Sequence, residues 1–210
     1  MTADGGPRLM LGSPGARVVV VGSGTYTAGS SLPEVGSVAG TVTDLGRCLV
    51  ERAGLDPAAL TVVIDPAGPV EFGTALTEAA RQATEVLVVY YVGHGLVDAG
   101  NDLHLATHAT VDLHEGIPAH QALPYAALRQ VVTRCTAPVI VIVMDCCFSG
   151  RATPAAREAS RRLLEATPQG TYLLAAAGRD QAAWAPPDRR HTAFTGALIS
   201  LLTGGDPTAP

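Results

Sequence analysis

The chain has 210 residues, 47% of them hydrophobic, which is enough for one substantial core and suits one domain better than two. A net charge of −5 argues against a nucleic-acid binder, which would carry a basic face, and with no lysine among the fourteen basic residues any lysine-dependent chemistry is excluded. No stretch approaches the roughly 18–20 apolar residues of a membrane-spanning helix, so no membrane partner is expected.

Residues 1–16 are rich in Gly and Pro and are expected to be a flexible segment. They lack a basic region followed by an apolar core, so no secretory signal is expected. "RVVVVG" (17–22) is a short apolar run, the mark of a strand covered on both faces. A helix is predicted over 35–55, where Val42, Leu45, Leu49 and Val50 share a face and Gly54 supplies a stop. "LTVVID" (60–65) reads as a second strand, 72–84 as a helix, and "EVLVVYYV" (85–92) as a third strand. A helix over 123–135 leads into a fourth strand, "PVIVIVMD" (138–145). Residues 153–166 have helical composition, "GTYLLAAA" (170–177) reads as a fifth strand, and 192–202 as a last helix. Strands alternating with helices predict an α/β fold, a mostly parallel sheet with helices on both faces.

In such sheets function gathers beyond the carboxyl ends of the strands. The third strand runs into Gly93-His94-Gly95, and the fourth into Asp145-Cys146-Cys147. Adjacent parallel strands would bring the two motifs to one edge. A thiol near pKa ~8.5 is mostly protonated at neutral pH, and a nearby imidazole corrects this by taking the proton. The glycines beside His94 leave room for a substrate carbonyl to reach the Gly95 N–H, which with the Cys147 N–H would form an oxyanion hole. Taken singly, the histidine also suits a turn, and the cysteines suit small core positions. Cys48, Cys135, Cys146 and Cys147 make neither a CxxC pair nor a disulfide-like framework, which predicts reduced thiols and a cytoplasmic location.

Other patterns rank lower. "GSGTYT" (22–27) is a partial dinucleotide fingerprint with Thr27 in place of the third Gly, and it reads instead as a loop beside the active site. Cys146 to Arg151 is one residue short of a phosphatase loop. His104, His108, His114 and His120 lack zinc-like spacing and are expected to be exposed loop histidines, so no metal is predicted. The basic run 157–162 reads as a solvated helix face.

His94 precedes Cys147 by 53 residues, and a histidine about 50 residues upstream of the nucleophile is a caspase signature. "YYVGHG" and "DCCFSG" resemble the motifs of bacterial caspase-like peptidases close to metacaspases. "VGSVAGTVTDL" resembles that family's first helix start, and "GRDQAAW" with "TAFTGALISLL" its small-subunit region. The resemblance covers roughly residues 17–203, with 204–210 as a tail or the start of a linker, and further domains are possible in a longer protein. It departs at Phe148, where the family usually has His, and at Thr43, where it has Asn.

The resemblance implies a caspase-like three-layer sandwich with about five to six strands. It implies a cysteine endopeptidase with a Cys147/His94 dyad and a protein or peptide substrate. The motif selects Cys147 as nucleophile; strand alternation agrees, with Asp145 and Cys147 on one face and Cys146 packed beneath. Asp145 and Asp44 would form an acidic pocket for Arg or Lys, although Asp44 equally suits an ordinary acid near a helix start. Asp180 is a weaker candidate. No cofactor is implied, and a calcium requirement is left open. In the family the connection after the nucleophile is often self-cleaved, which makes Arg151, Arg157, Arg161 and Arg162 candidates. The rival reading is a catalytically silent caspase-like scaffold in a larger signalling or defence protein.

Overall fold

A computed structural model describes residues 10–111, 120–148, 171–176 and 189–205, with Cys147 and Phe148 described through their backbone. The strands are β1 (Ala16–Gly22), β2 (Leu60–Ile64), β3 (Val86–Val97), β4 (Leu103–Ala106), β5 (Ala122–Pro124), β6 (Val139–Phe148) and β7 (Thr171–Ala175). The helices are α1 (Ser37–Ala53), α2 (Pro69–Gln82), α3 (Tyr125–Thr133) and α4 (Ala193–Gly204). The predicted helix 153–166, the "GRDQAAW" segment, Asp180 and the Arg151–Arg162 connection lie outside the described residues, as does His114.

Five parallel strands in the order β2-β1-β3-β6-β7 form the body of the sheet. Where β1 ends, β4 takes its place beside the far end of β3 in antiparallel sense, and β5 pairs β4. With these two short strands the sheet has seven strands among the described residues.

The apolar runs are explained by burial on both faces. Val19 and Val21 of β1, Leu87, Val89 and Tyr91 of β3, and Ile142 and Met144 of β6 meet Phe72 and Leu76 of α2 and Leu128 and Val132 of α3. The alternate residues Val18, Val20, Tyr90, Val92 and Val143 meet Val38, Val42 and Leu45 of α1, with Phe194 and Leu198 of α4 packed against them. Helices on both faces of one sheet make the three layers. α1 stops where Gly54 turns left-handed at φ 72° and gives its N–H to Leu49 O, a conformation open to glycine without steric cost. Leu11, in a short 3₁₀ turn at Met10–Gly12, also packs onto the α1 face, so the segment before β1 contributes to the core.

Two strands run further than their side chains advertise. β3 continues through Gly93-His94-Gly95 to Val97, and β6 through Asp145 to Phe148. Both motifs therefore ride on the strands themselves rather than on loops beyond them. Ladder hydrogen bonds belong to the backbone and persist where the side-chain pattern turns polar or small.

Candidate active site

The ladder between β3 and β6 pairs Gly93 with Cys146, His94 with Cys147 and Gly95 with Phe148. Neighbouring strands lie about 4.8 Å apart, so the backbones of the proposed base and nucleophile are immediate neighbours. The expected direction of the Cys147 side chain falls outside what is described. The Cys146 side chain is buried, 1% exposed, in the cluster with Ile142 and Met144 under α2 and α3.

Gly93 must be glycine for two reasons. Its φ is 153°, a region that side chains rarely adopt, and an added Cβ would lie 2.7 Å from both Ser23 O and Tyr91 Oη. Tyr91 fills that space with purpose: its single hydroxyl proton is shared between the carbonyls of His94, at 2.9 Å, and Ala106, at 3.0 Å. The buried ring thus fixes the backbone of the histidine.

The ring of His94 is held from the β1–α1 loop. Its Nε2 lies 2.9 Å from the carbonyl of Pro33, and the Tyr26 ring lies 5.6 Å away at a tilt of 33°. A carbonyl only accepts, so Nε2 is the donor in this contact, which fixes how the ring is turned. The loop is itself anchored. Asp65 accepts from Gly24 N at 2.7 Å, Thr25 N at 3.0 Å and the Thr25 hydroxyl at 2.7 Å. His108 Nδ1 donates to Thr25 O at 3.1 Å, and Thr27 N to His108 O at 2.8 Å. Residues 22–27 therefore lie beside His94, as the loop reading expects.

Asp145 is 3% exposed and faces α4. Its Oδ2 accepts the hydroxyls of Thr192 and Thr195, each at 2.5 Å. Thr195 spends its proton there, so the Tyr90 hydroxyl, 2.8 Å away, is the donor to Thr195. Burial, and then the nearby Asp145 charge, push the Tyr90 hydroxyl well above the ordinary tyrosine range despite the Thr195 contact. Thr192 stands at the N-cap of α4 without using its hydroxyl as a cap, because Asp145 takes it.

Asp44 is also buried, on α1, and it has three partners. Arg190 gives Nε to Oδ2 at 2.6 Å and Nη2 to Oδ1 at 3.1 Å; His191 Nε2 lies 2.8 Å from Oδ2; Arg47 Nη2 lies 2.9 Å from Oδ1. The Arg190 and His191 hydrogen bonds hold the Asp44 carboxyl well below the usual carboxylate range, against the effect of burial. Thr192 N then donates to Thr41 Oγ1 at 3.0 Å. The consecutive residues Arg190, His191 and Thr192 thus hold both acids that the sequence singles out.

Gly95 sits in the ladder between Leu105 of β4 and Phe148 of β6. His104 departs from its expectation as an exposed loop residue. It lies on β4, 7% exposed, with Nε2 3.0 Å from Asp98 Oδ2. Burial works against the Asp98 carboxylate, but the N–H groups of Asp102 and Gly100 and the His104 ring outweigh it and keep its pKa low. His120 is exposed and His108 half-buried. Among the described residues, no group of three or more His, Cys, Asp and Glu side chains is arranged to hold a metal ion, and no helix is long and apolar enough to cross a membrane.

Sequence reasoning missed Pro33, Tyr26, Arg190 and His191. A backbone carbonyl has no sequence signature, and Arg190 lies 146 residues from its partner. Tyr26 was within reach, inside the loop already read as flanking the site.

A family model described as the caspase domain, Peptidase C14, matches residues 40–208, most of the chain, a span that includes Asp44, His94, Asp145 and Cys147. No curated protein matches the chain.

Proposed function

Because this chain belongs to the caspase-domain family of cysteine-type peptidases, we propose that it is an active endopeptidase that cleaves after arginine, with lysine accepted, using Cys147 and His94. The observation that supports this reading most is the register of β3 on β6, which pairs position 94 with position 147. In the proposed reaction His94 Nδ1 takes the Cys147 thiol proton, and the thiolate attacks the scissile carbonyl carbon. The backbone N–H groups of Gly95 and Cys147 receive the oxyanion. His94 returns the proton to the leaving amine, and a water activated by the same nitrogen hydrolyses the acyl-enzyme. The Pro33 carbonyl keeps the ring oriented and stabilises the imidazolium while it exists.

Asp145 and Asp44 are assigned to the substrate's cationic side chain, which makes the metacaspase-like branch of the family the better fit. Both described bonds to Asp145 fall on Oδ2, and the reading gives Oδ1 to the ligand. A substrate aspartate would meet like charge there. The proposed substrates are protein or peptide segments, met in the cytoplasm.

Steady-state turnover of matched fluorogenic peptides ending in Arg, Lys or Asp tests the assignment. Turnover of the Arg peptide is expected to be fastest, to vanish in Cys147→Ala and to survive largely in Cys146→Ala. Faster turnover of the Asp peptide refutes the acidic pocket. Unchanged turnover in folded Cys147→Ala refutes the nucleophile.

A further inference from the structure

We propose that Arg190 is the resident occupant of a guanidinium subsite built on Asp44, and that an incoming arginyl side chain binds there by displacing it. This inference rests on the proposed acidic pocket and adds what fills that pocket in the resting protein.

The contact has the form such a ligand would take. Arg190 presents Nε and Nη2 to the two oxygens of one carboxylate, the two-point fork that a guanidinium makes and an ammonium cannot. The pair is lopsided in exposure. The Asp44 side chain is 7% exposed, whereas the Arg190 side chain is 67% exposed. The acid is thus a buried, fixed receptor, and the cation is a side chain reaching it from solvent. A mostly exposed arginine can leave without unmaking the core.

The surroundings also separate the side chain from its backbone. An added Cβ on Gly40 would lie 2.8 Å from Arg190 O, so this carbonyl is packed tightly against α1. Two residues on, Thr192 is bound through its N–H to Thr41 and through its hydroxyl to Asp145. The segment stays in place while the Arg190 side chain swings. A cavity of about 470 Å³, lined by Arg189, Arg190, His191, Gly196 and Ser200 among others, opens beside it and gives the displaced guanidinium somewhere to go. His191 and Arg47 remain on Asp44 after displacement, so the carboxylate stays oriented for the ligand.

An internal competitor lowers the apparent affinity of every ligand of the subsite by one common factor, the inverse of the fraction of molecules with the subsite open. For an ion pair whose cation is mostly exposed that factor is about fivefold. Arg190→Ala is therefore expected to lower KM about fivefold for Arg and Lys peptides alike, with kcat unchanged. Arg190→Lys, which offers a single charged donor in place of the fork, is expected to fall between. An arginine needed only to hold the fold would give the opposite result, a raised KM with a lowered Tm. An unchanged or raised KM in folded Arg190→Ala overturns the proposal. Titration of argininamide into Cys147→Ala by calorimetry, with and without Arg190→Ala, makes the test independent of turnover. Tighter binding without Arg190, lost on Asp44→Asn, upholds the subsite even if the wild-type chain cleaves nothing. Equal binding with and without Arg190, in an enzyme that cleaves Arg peptides, overturns the displacement alone.

Discussion

One hydroxyl joins α4 to two buried groups of the sheet. Thr195 is fully buried, donates to Asp145 Oδ2 at 2.5 Å and receives the Tyr90 hydroxyl at 2.8 Å. Thr195→Val keeps the shape and removes both contacts. The hydrogen bond to a charged acceptor is worth about 1.5–3 kcal/mol, and leaving the buried Tyr90 hydroxyl without its partner costs about 1–3 kcal/mol more. The two together give a loss of roughly 2.5–6 kcal/mol, or about 5–24 °C in Tm for a chain of this size. Thr195→Ser keeps the hydroxyl and loses one methyl, so it is expected to cost about 1 kcal/mol. Urea unfolding of both variants, with Tyr90→Phe and the Tyr90→Phe/Thr195→Val double variant, completes a cycle. The double variant should cost clearly less than the two single changes added, because with Tyr90 gone no hydroxyl is orphaned. A Thr195→Val protein within about 0.5 kcal/mol of wild type would refute the network, since that is the range of an uninvolved surface site.

Three further outcomes are expected. Gly93→Ala is expected to lower Tm and disable turnover together, because the new Cβ collides with Ser23 O and the Tyr91 hydroxyl that fixes the His94 backbone; a wild-type Tm with normal turnover contradicts this. Asp44 has a lowered pKa in the folded state, so its stabilisation is complete above the unfolded value of 3.8 and is lost as pH falls below it. The stability difference between wild type and Asp44→Asn should therefore be constant from pH 7 to about pH 5 and shrink below about pH 4 in urea titrations, and a constant difference down to pH 2.5 would remove the charged role. Self-cleavage after Arg157, Arg161 or Arg162 is expected to be slow in concentrated active protein and absent in Cys147→Ala, as read by intact mass over several hours.

Much of the fold was legible because its central strands β1, β3 and β6 are buried on both faces. The runs at β1, β3 and β6 are Val, Ile and Leu stretches, joined in β3 by Tyr90 and Tyr91, and the α1 stripe ends on Gly54. The ends of β3 and β6 were harder. Gly93 and Asp145 look like stops, yet the ladder carries on through Val97 and Phe148. Positions 94 and 147 stood out through residue type and spacing, and their adjacency needed only parallel neighbours. The setting of His94 was not visible, because a Pro33 carbonyl and a Tyr91 hydroxyl act through a chain path that spacing does not encode. His104 was misread because its partner, Asp98, lies across the β3–β4 turn, and a histidine with a carboxylate can be buried where one alone would stay in water. The two acids were picked out as ligand groups, while Arg190 and His191, which hold Asp44, lie far away in sequence, and "TAFTGALISLL" was read for its family resemblance and not for the Thr192 and Thr195 hydroxyls that hold Asp145.

The central claim is that Cys147, activated by His94, is the nucleophile of an arginine-directed peptidase. It is tested most directly by treating the protein at neutral pH with a peptidyl-arginine acyloxymethyl ketone and mapping the adduct by tandem mass spectrometry. The account predicts one equivalent of label on Cys147, none on the buried Cys146, and greatly slowed labelling in His94→Ala. Label on Cys146 or Cys135 instead, or labelling of Cys147 at an undiminished rate without His94, would contradict it.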